Sequence, residues 1–312
     1  MLLSMIRNRT SITLRGELNK VKFMSTVKDF NAKEQPQWCP GCGNFGIIMA
    51  LRSALAKAGK ETHETVVVSG IGCSGKSSHY VRSYGYESLH GRTLPVATGV
   101  KLSNNKLTVL AMGGDGDGYG IGLNHFIHIC RRNMDLTYIV HNNSIYGLTT
   151  GQVSPVSMKG MKTKSTPHGV IEQPIHQLAL AITSDATFVA RGYAGNMAQL
   201  ADILTQAINH KGFAIVDVLQ ECPSWNKVNT KEWIQQRIYN LNETGHDITN
   251  RDLAYKKAME DVESKYEKVP VGIFYKVDRP TYGDELPQIK DKSLVEHDLK
   301  SIDLTKTLKH YI

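Results

Sequence analysis

The chemistry-bearing residues of this 312-residue chain are two aspartates, an asparagine and a set of cysteines. Asp115 stands in the run Gly113-Gly114-Asp115-Gly116-Asp117-Gly118-Tyr119-Gly120, and Asn143 in His141-Asn142-Asn143-Ser144-Ile145-Tyr146-Gly147-Leu148. A glycine-rich strand-to-helix turn lets the backbone approach a phosphate and aim its N–H groups at the anion, while a carboxylate holds the accompanying Mg²⁺. Asp115 and Asn143 are 28 residues apart, each just after an apolar strand pattern, with one helix between them. If those strands are neighbours, Asp115, the Asn143 amide oxygen and the Ile145 carbonyl form part of an octahedron around Mg²⁺, which diphosphate oxygens and water complete. Singly, Asp115 reads as a turn aspartate and Asn143 as an Asx-turn residue; together, at matching strand ends, they favour the metal. The spacing lacks the terminal glutamate of an EF-hand loop.

The five cysteines fall as Cys39-x-x-Cys42, Cys73 and Cys222 in loops, with Cys130 inside a helical pattern, where it reads as a small buried apolar residue. Four loop thiols suit a tetrahedral Zn²⁺ or a [4Fe–4S] cluster equally well on ligand count. The neighbourhood favours the cluster. Cys73 shares Gly70-Ile71-Gly72-Cys73-Ser74-Gly75-Lys76 with an anion-facing lysine, so the metal would lie beside the cofactor, where an electron acceptor has a use.

The elements that must carry these residues alternate. Apolar strands are expected at 65–69, 107–112, 136–140, 187–190 and 213–219, and helices at 45–58, from about 97, and at 121–132, 175–181 and 197–209. This pattern predicts an α/β fold, a doubly wound and mostly parallel sheet, with ligands outside the carboxyl ends of the strands. Residues 153–173 read as a mobile loop over the site. Residues 25–224 form the expected core. Beyond it, helical segments at 230–240 and 252–267, a short strand at 271–275 and a polar tail suggest a C-terminal extension, 225–312, packing on the core or on a partner.

Composition excludes several classes. The net charge is +8, but residues 1–24 hold five basic side chains against one acid, and no basic stripe with interleaved aromatics follows. Nucleic acid is therefore not the expected partner. The tail reads as an extension preceding a start at Met24, with a disordered arm and an organelle-targeting peptide as the alternatives; it lacks the apolar core of a secretory signal. No apolar run reaches membrane-span length. The unpaired cysteine count suits a reducing compartment, and the expected location is cytoplasmic.

From about Gln37 onward the chain resembles the β subunit of 2-oxoacid:ferredoxin oxidoreductases. The likeness rests on Cys39-Pro40-Gly41-Cys42-Gly43, Ile71-Gly72-Cys73-Ser74-Gly75-Lys76, His90-Gly91-Arg92, Gly114-Asp115-Gly116-Asp117-Gly118-Tyr119-Gly120, Asn142-Asn143 and Tyr146-Gly147-Leu148-Thr149. It implies a thiamine diphosphate fold and enzyme. Cys39, Cys42, Cys73 and Cys222 would ligate one [4Fe–4S] cluster, and Asp115, Asn143 and Ile145 would hold Mg²⁺. Ile71, Gly72, Cys73, Ser74, His90, Gly116, Asp117, Gly147 and Leu148 would surround the cofactor. Lys76 would face cofactor or substrate, and Thr150, where family members often carry lysine, would bear on substrate choice. The implied reaction oxidises a 2-oxoacid to CO₂ and acyl-coenzyme A and passes electrons through the cluster to ferredoxin. The implied partner is an α subunit, in some enzymes fused to γ, which supplies the carboxylate that activates the cofactor; this chain alone would be inactive. Two rivals remain: a non-redox thiamine diphosphate decarboxylase or carboligase, and a zinc-stabilised nucleotide-binding module.

Overall fold

Strands β1 (Thr65–Ser69) and β4 (Leu136–Asn142) are buried at every position, and β3 (Thr108–Gly114) and β8 (Phe213–Leu219) are nearly so. Strands covered on both faces need apolar residues on both, which explains their unbroken Val, Ile, Leu and Ala runs. The computed structural model describes residues 25–298, 300 and 303–311; the expected extension before Met24 lies outside them. With β2 (Tyr84–Glu87), β7 (Phe188–Tyr193), β9 (Ile238–Asn240) and β10 (Val269–Lys276), these strands form one eight-stranded sheet in the order β2-β1-β3-β4-β8-β7-β10-β9. Every pairing is parallel except β10 with β7. A separate two-stranded ribbon joins β5 (Ile145–Tyr146) to β6 (Gln152–Val153).

Helices cover both faces. On one, α1 (Asn44–Lys57) and α5 (Met197–Asn209) bury Ile47, Leu51, Leu55, Leu200 and Leu204 against Leu110, Ile139 and Val216. On the other, α2 (Thr93–Ser103), α3 (Leu123–Arg132), α4 (Gln177–Thr183) and α6 (Arg251–Glu263) pack on Val109, Tyr138 and Ile215. Alternate residues of one strand thus feed two cores, as the period-two geometry of a strand requires.

Three departures from expectation have physical causes. β2 carries no apolar alternation, and all four of its residues are exposed, so the sequence pattern does not announce it. The glycine run does not open directly into a regular helix: Gly116–Ile121 is a wide helical turn with Gly120 at φ −88°, ψ −109°, and α3 starts only at Leu123. The expected helix at 230–240 stops at Gln235, because Ile238–Asn240 pair with Val269–Val271. The C-terminal segment is therefore more than an extension packed on a core: β9 and β10 complete the sheet.

The amino end of α1 presses on the loop after β7. A Cβ on Gly46 would stand 2.2 Å from the Ala194 carbonyl oxygen, inside the backbone of another element. Gly46→Ala is expected to destabilise the fold by about 1–3 kcal/mol, read as a lower thermal midpoint, and to displace the Cys39–Cys42 turn that precedes α1.

Candidate active site

The chain runs from β1 outward to β2, then crosses back so that β3 lies on the other side of β1. At such a reversal the loops leaving neighbouring strands diverge and open a crevice. Here the crevice is a cavity of about 540 Å³ walled by the loops after β1, β3, β4 and β8, within the usual range for small-molecule sites. Ile71, Gly72, Cys73, Ser74, His90, Asp115, Gly116, Asp117, Asn143, Ile145, Gly147 and Leu148 all line it. Lys76 and Thr150 do not. The short turn Ser74–Lys76 runs into a helical turn at Ser77–Tyr80; Cys73 and Ser74 stay on the wall, and Lys76, off it, is close enough to act electrostatically on Cys73. Thr150 takes a positive φ of 77° and is exposed, closing the turn between β5 and β6; its neighbour Thr149 lines the cavity instead.

Glycines make the cavity possible. A Cβ on Gly116 would sit 2.2 Å from the Tyr146 ring, and one on Gly70 would fall 2.3 Å from the Asp117 carboxylate. Asp117 holds the loops together. It accepts from the Ile71 N–H (3.2 Å), the Gly91 N–H (2.8 Å) and the Thr93 hydroxyl (3.0 Å), and His90 Nδ1 lies 3.2 Å away. The glycine turn and the His90-Gly91 loop are tied through one carboxylate.

Asp115 is placed differently. It is 1% exposed, accepts from the Ser154 hydroxyl and, at 3.4 Å, from the Asn143 N–H, and no cationic side chain pairs with it among the described residues. Burial pushes its pKa up to about 7, against the lowering effect of these hydrogen bonds. A buried hard-oxygen carboxylate with no counter-charge, beside an amide oxygen, suits Mg²⁺. Asn143 Oδ1 also takes the Ile145 N–H at 3.1 Å, so it makes the Asx turn that was the alternative reading; the amide oxygen keeps a second lone pair. The start of the loop expected to be mobile is locked here: Ser154 reaches Asp115, Ser157 donates to the Ser144 carbonyl at 2.6 Å, and Met161 and Val170 are buried.

The cysteine loops converge on the cavity wall. Gly43 N–H donates to the Glu221 carbonyl, joining the Cys42 and Cys222 loops, and Trp38 Nε1–H donates to the Cys73 carbonyl at 2.8 Å. A Cβ on Gly147 would lie 3.2 Å from Cys222 Sγ and 3.9 Å from Cys73 Sγ. Burial pushes the Cys42 thiol up to about 12, and the thiols of Cys222, Cys73 and Cys39 add to the rise. Four thiols close enough to oppose one another's ionisation suit a cationic centre in their donor chemistry. The side chains are not drawn together as a ready metal site: among the described residues no group of three or more His, Cys, Asp or Glu is arranged to hold an ion.

Sequence reasoning missed the buried polar cluster behind the site. Asp217 on β8 is fully buried and accepts from Tyr119, Asn142, Gln177 and Arg191, while Arg191 also pairs with Asp261 of α6 at 2.9 Å. Asn142 in turn receives the Ser144 N–H and hydroxyl at 3.3 Å, which fixes the turn that carries Asn143. An aspartate alternating within an apolar strand was the available signal. Removing the arginine leaves buried carboxylates uncompensated, so Arg191→Met is expected to cost about 3–5 kcal/mol of stability in denaturant unfolding.

Comparison with known proteins agrees with this geometry. The family described as thiamine pyrophosphate enzyme, C-terminal TPP binding domain, matches residues 70–218. The family described as the C-terminal part of the pyruvate ferredoxin oxidoreductase beta chain matches 222–291. The chain is 48% identical over 254 residues to the 2-oxoacid:ferredoxin oxidoreductase subunit beta of Saccharolobus solfataricus, covering 78% of this chain and 82% of that protein. It is 36% identical over 296 residues to the 2-oxoglutarate oxidoreductase subunit KorB of Mycobacterium tuberculosis, covering 82% and 79%. The solved 2-oxoglutarate:ferredoxin oxidoreductase of Magnetococcus marinus, with 2-oxoglutarate, coenzyme A and succinyl-CoA bound, superposes with a TM-score of 0.85 at 35% identity, over 92% of this chain and 96% of that one. A diphosphate-type crevice and converging cysteine loops are thus found on a fold, and in a sequence, of one kind: the chain belongs to the β subunits of the 2-oxoacid:ferredoxin oxidoreductases.

Proposed function

We propose that this β subunit binds thiamine diphosphate in the cavity at the carboxyl ends of β1, β3 and β4, and forms acyl-coenzyme A and CO₂ from a 2-oxoacid. Electrons leave through a [4Fe–4S] cluster on Cys39, Cys42, Cys73 and Cys222 to ferredoxin. The observation that carries this reading is the shared wall: Cys73 and Gly147 both line the cavity, and a Cβ on Gly147 would touch the sulfurs of both Cys73 and Cys222. A structural zinc has no use for that adjacency, and a non-redox carboligase has none for the cysteines.

Thiamine diphosphate, when bound, supplies the carbon nucleophile for the 2-oxo carbon and takes up the electrons freed with CO₂. The protein's part is binding and exclusion. Asp115, Asn143 and the Ile145 carbonyl would hold Mg²⁺ against the diphosphate, and the N–H groups of the Gly116 turn would meet its oxygens. Ser154, at the start of the anchored segment, bonds Asp115 and would help keep water from that end.

The site is completed by the α subunit. Asp115 and Asp117 are the only carboxylates lining the cavity among the described residues. Asp117 is already bonded to Ile71, Gly91 and Thr93, and Asp115 to Ser154 and Asn143. Neither is free to act as the acid on the cofactor, which supports its supply from a partner surface over the cavity mouth, where Ile71 and Leu148 are exposed. The Magnetococcus enzyme's bound 2-oxoglutarate and coenzyme A make 2-oxoglutarate the first substrate to assay.

The test is anaerobic purification with and without the α partner. The assembled enzyme should be brown, contain about four irons per β chain, and reduce ferredoxin when given 2-oxoacid and coenzyme A. A colourless, zinc-containing complex, or turnover by the β chain alone, would overturn the corresponding half of the reading.

A further inference from the structure

The loop after β8 reaches the metal turn through one side chain, the asparagine of Cys222-Pro223-Ser224-Trp225-Asn226. Asn226 is 2% exposed, and both hydrogens and both lone pairs of its amide are used. Nδ2 donates to the Asn143 carbonyl and to Asn229 Oδ1, each at 2.9 Å. Oδ1 accepts the N–H groups of Val228 and Asn229, also at 2.9 Å. Peptide N–H groups need the oxygen and a peptide carbonyl needs the NH₂, so the neighbours fix which way the amide points. The Asn226 N–H donates to the Cys222 carbonyl at 2.9 Å. One residue thus bonds the backbone of Asn143 on one side and that of Cys222 on the other.

The turn it grips needs holding. Ser144 has a positive φ of 56°, a conformation that a serine keeps only where its surroundings enforce it. On either side of it, Asn143 and Ile145 carry the oxygens assigned above to Mg²⁺. Asn142 takes the Ser144 N–H, Ser157 donates to the Ser144 carbonyl, and Asn226 donates to the Asn143 carbonyl. A buried junction with every bond satisfied rigidifies what it joins.

We propose that Asn226 is a positioning residue: from the loop that carries Cys222, its side chain fixes the Asn143 peptide and so aims the Asn143 amide oxygen and the Ile145 carbonyl at the metal ion. Asn226 does not line the cofactor cavity, so its effect passes through Asn143. The inference rests on the function proposed above. It also divides the residue in two, since the side chain serves the metal turn and the peptide N–H serves the Cys222 loop. A change to the side chain alone should alter metal-dependent binding and leave the iron centre filled.

The experiment uses the enzyme assembled with its α partner, stripped of thiamine diphosphate and Mg²⁺, with binding followed by calorimetry. In Asn226→Ser the hydroxyl can still take the N–H groups of its own turn but is too short to reach the Asn143 carbonyl. Partners one shell beyond a metal ligand are worth about 10–100-fold in affinity, so the dissociation constant for thiamine diphosphate with Mg²⁺ should rise about tenfold or more. The same loss is expected with Mg²⁺ and inorganic diphosphate, and iron per β chain should stay at the wild-type value. Asn229→Ala removes one bond of Asn226 and leaves its bond to Asn143; it should bind as wild type does. With Mn²⁺ in place of Mg²⁺, the paramagnetic resonance spectrum of the bound ion should be shared by wild type and Asn229→Ala and altered in Asn226→Ser. Asn226→Thr, which keeps the hydroxyl and more of the volume, takes its place if the serine variant does not fold. Unchanged affinity in the variant that folds overturns the inference. So does an equal loss in Asn229→Ala, or a loss of iron in step with affinity, since either would mean that the whole loop has loosened. A wild type that binds no diphosphate with Mg²⁺ overturns the function proposed above, and this inference with it.

Discussion

Asp115→Asn is expected to weaken binding of thiamine diphosphate with Mg²⁺ by about 100-fold or more, since loss of a partner one shell further out already costs about 10–100-fold. The thermal midpoint of the ligand-free protein should hold or rise. The reason lies in the environment of the carboxylate: it is buried, receives only Ser154 and Asn143, and is pushed toward its neutral form by burial. An anion kept there without a cation is a cost to the fold. The amide retains the shape and an oxygen for Ser154 while removing the charge a cation needs. Calorimetric titration and thermal unfolding of one preparation check both halves. If Asp115 were only a turn residue, the variant would lose stability and keep its affinity. Activity of the assembled enzyme should fall with the affinity.

Cys222→Ser is expected to reduce the iron content of the assembled enzyme and to bring ferredoxin reduction down to background, with thiamine diphosphate binding unchanged. Cys222 is the thiol through which the cysteine loops meet the cofactor wall: it lies beside Gly147, and its carbonyl takes the N–H groups of Trp225 and Asn226. The hydroxyl keeps the size of the side chain and forfeits the soft donor that iron requires. Iron analysis, the visible spectrum and reduction assays with a 2-oxoacid read the outcome. Full ferredoxin reduction in this variant would remove Cys222 from the electron path. The rival non-redox reading requires the decarboxylating activity of wild type and variant to be equal.

Much of the site was legible because loops at strand ends announce themselves by residue type. Asp115 and Asn143 follow apolar runs that read as buried strands, and parallel pairing of β3 with β4 brings their ends together. The Cys73 loop was readable for the same reason. Lys76 was not: whether it joins the lining depends on one short turn at Ser74–Lys76, and a lysine next to glycines looks the same in sequence whichever way that turn goes. Asp117 lines the cavity, but the loop contacts that engage its carboxylate could not be read, because backbone N–H donors such as those of Ile71 and Gly91 leave no mark in sequence. Asp217 was passed over because it sits in a strand, where alternation predicts burial and gives no hint of what a buried polar group faces. Strand β9 and the end of the helix before it were set by pairing with β10 across a long separation, which local propensity does not register.

The place of β10 has a consequence for how the chain is made. β7 is buried along its whole length, Phe188 to Tyr193, and one of its two edges is covered by residues that follow about 80 positions later, Gly272 to Lys276. On a ribosome, that edge stands open from the moment β7 and β8 pair until β10 emerges, presenting unpaired peptide groups and apolar side chains to any other nascent strand. A stop codon or proteolytic nick between α6 and β10 would leave the cofactor loops intact in sequence and the protein prone to aggregate. Among the described residues the final quarter of the chain contributes nothing to the cavity wall, yet through β10 it closes the edge that the cofactor-bearing half leaves open during synthesis.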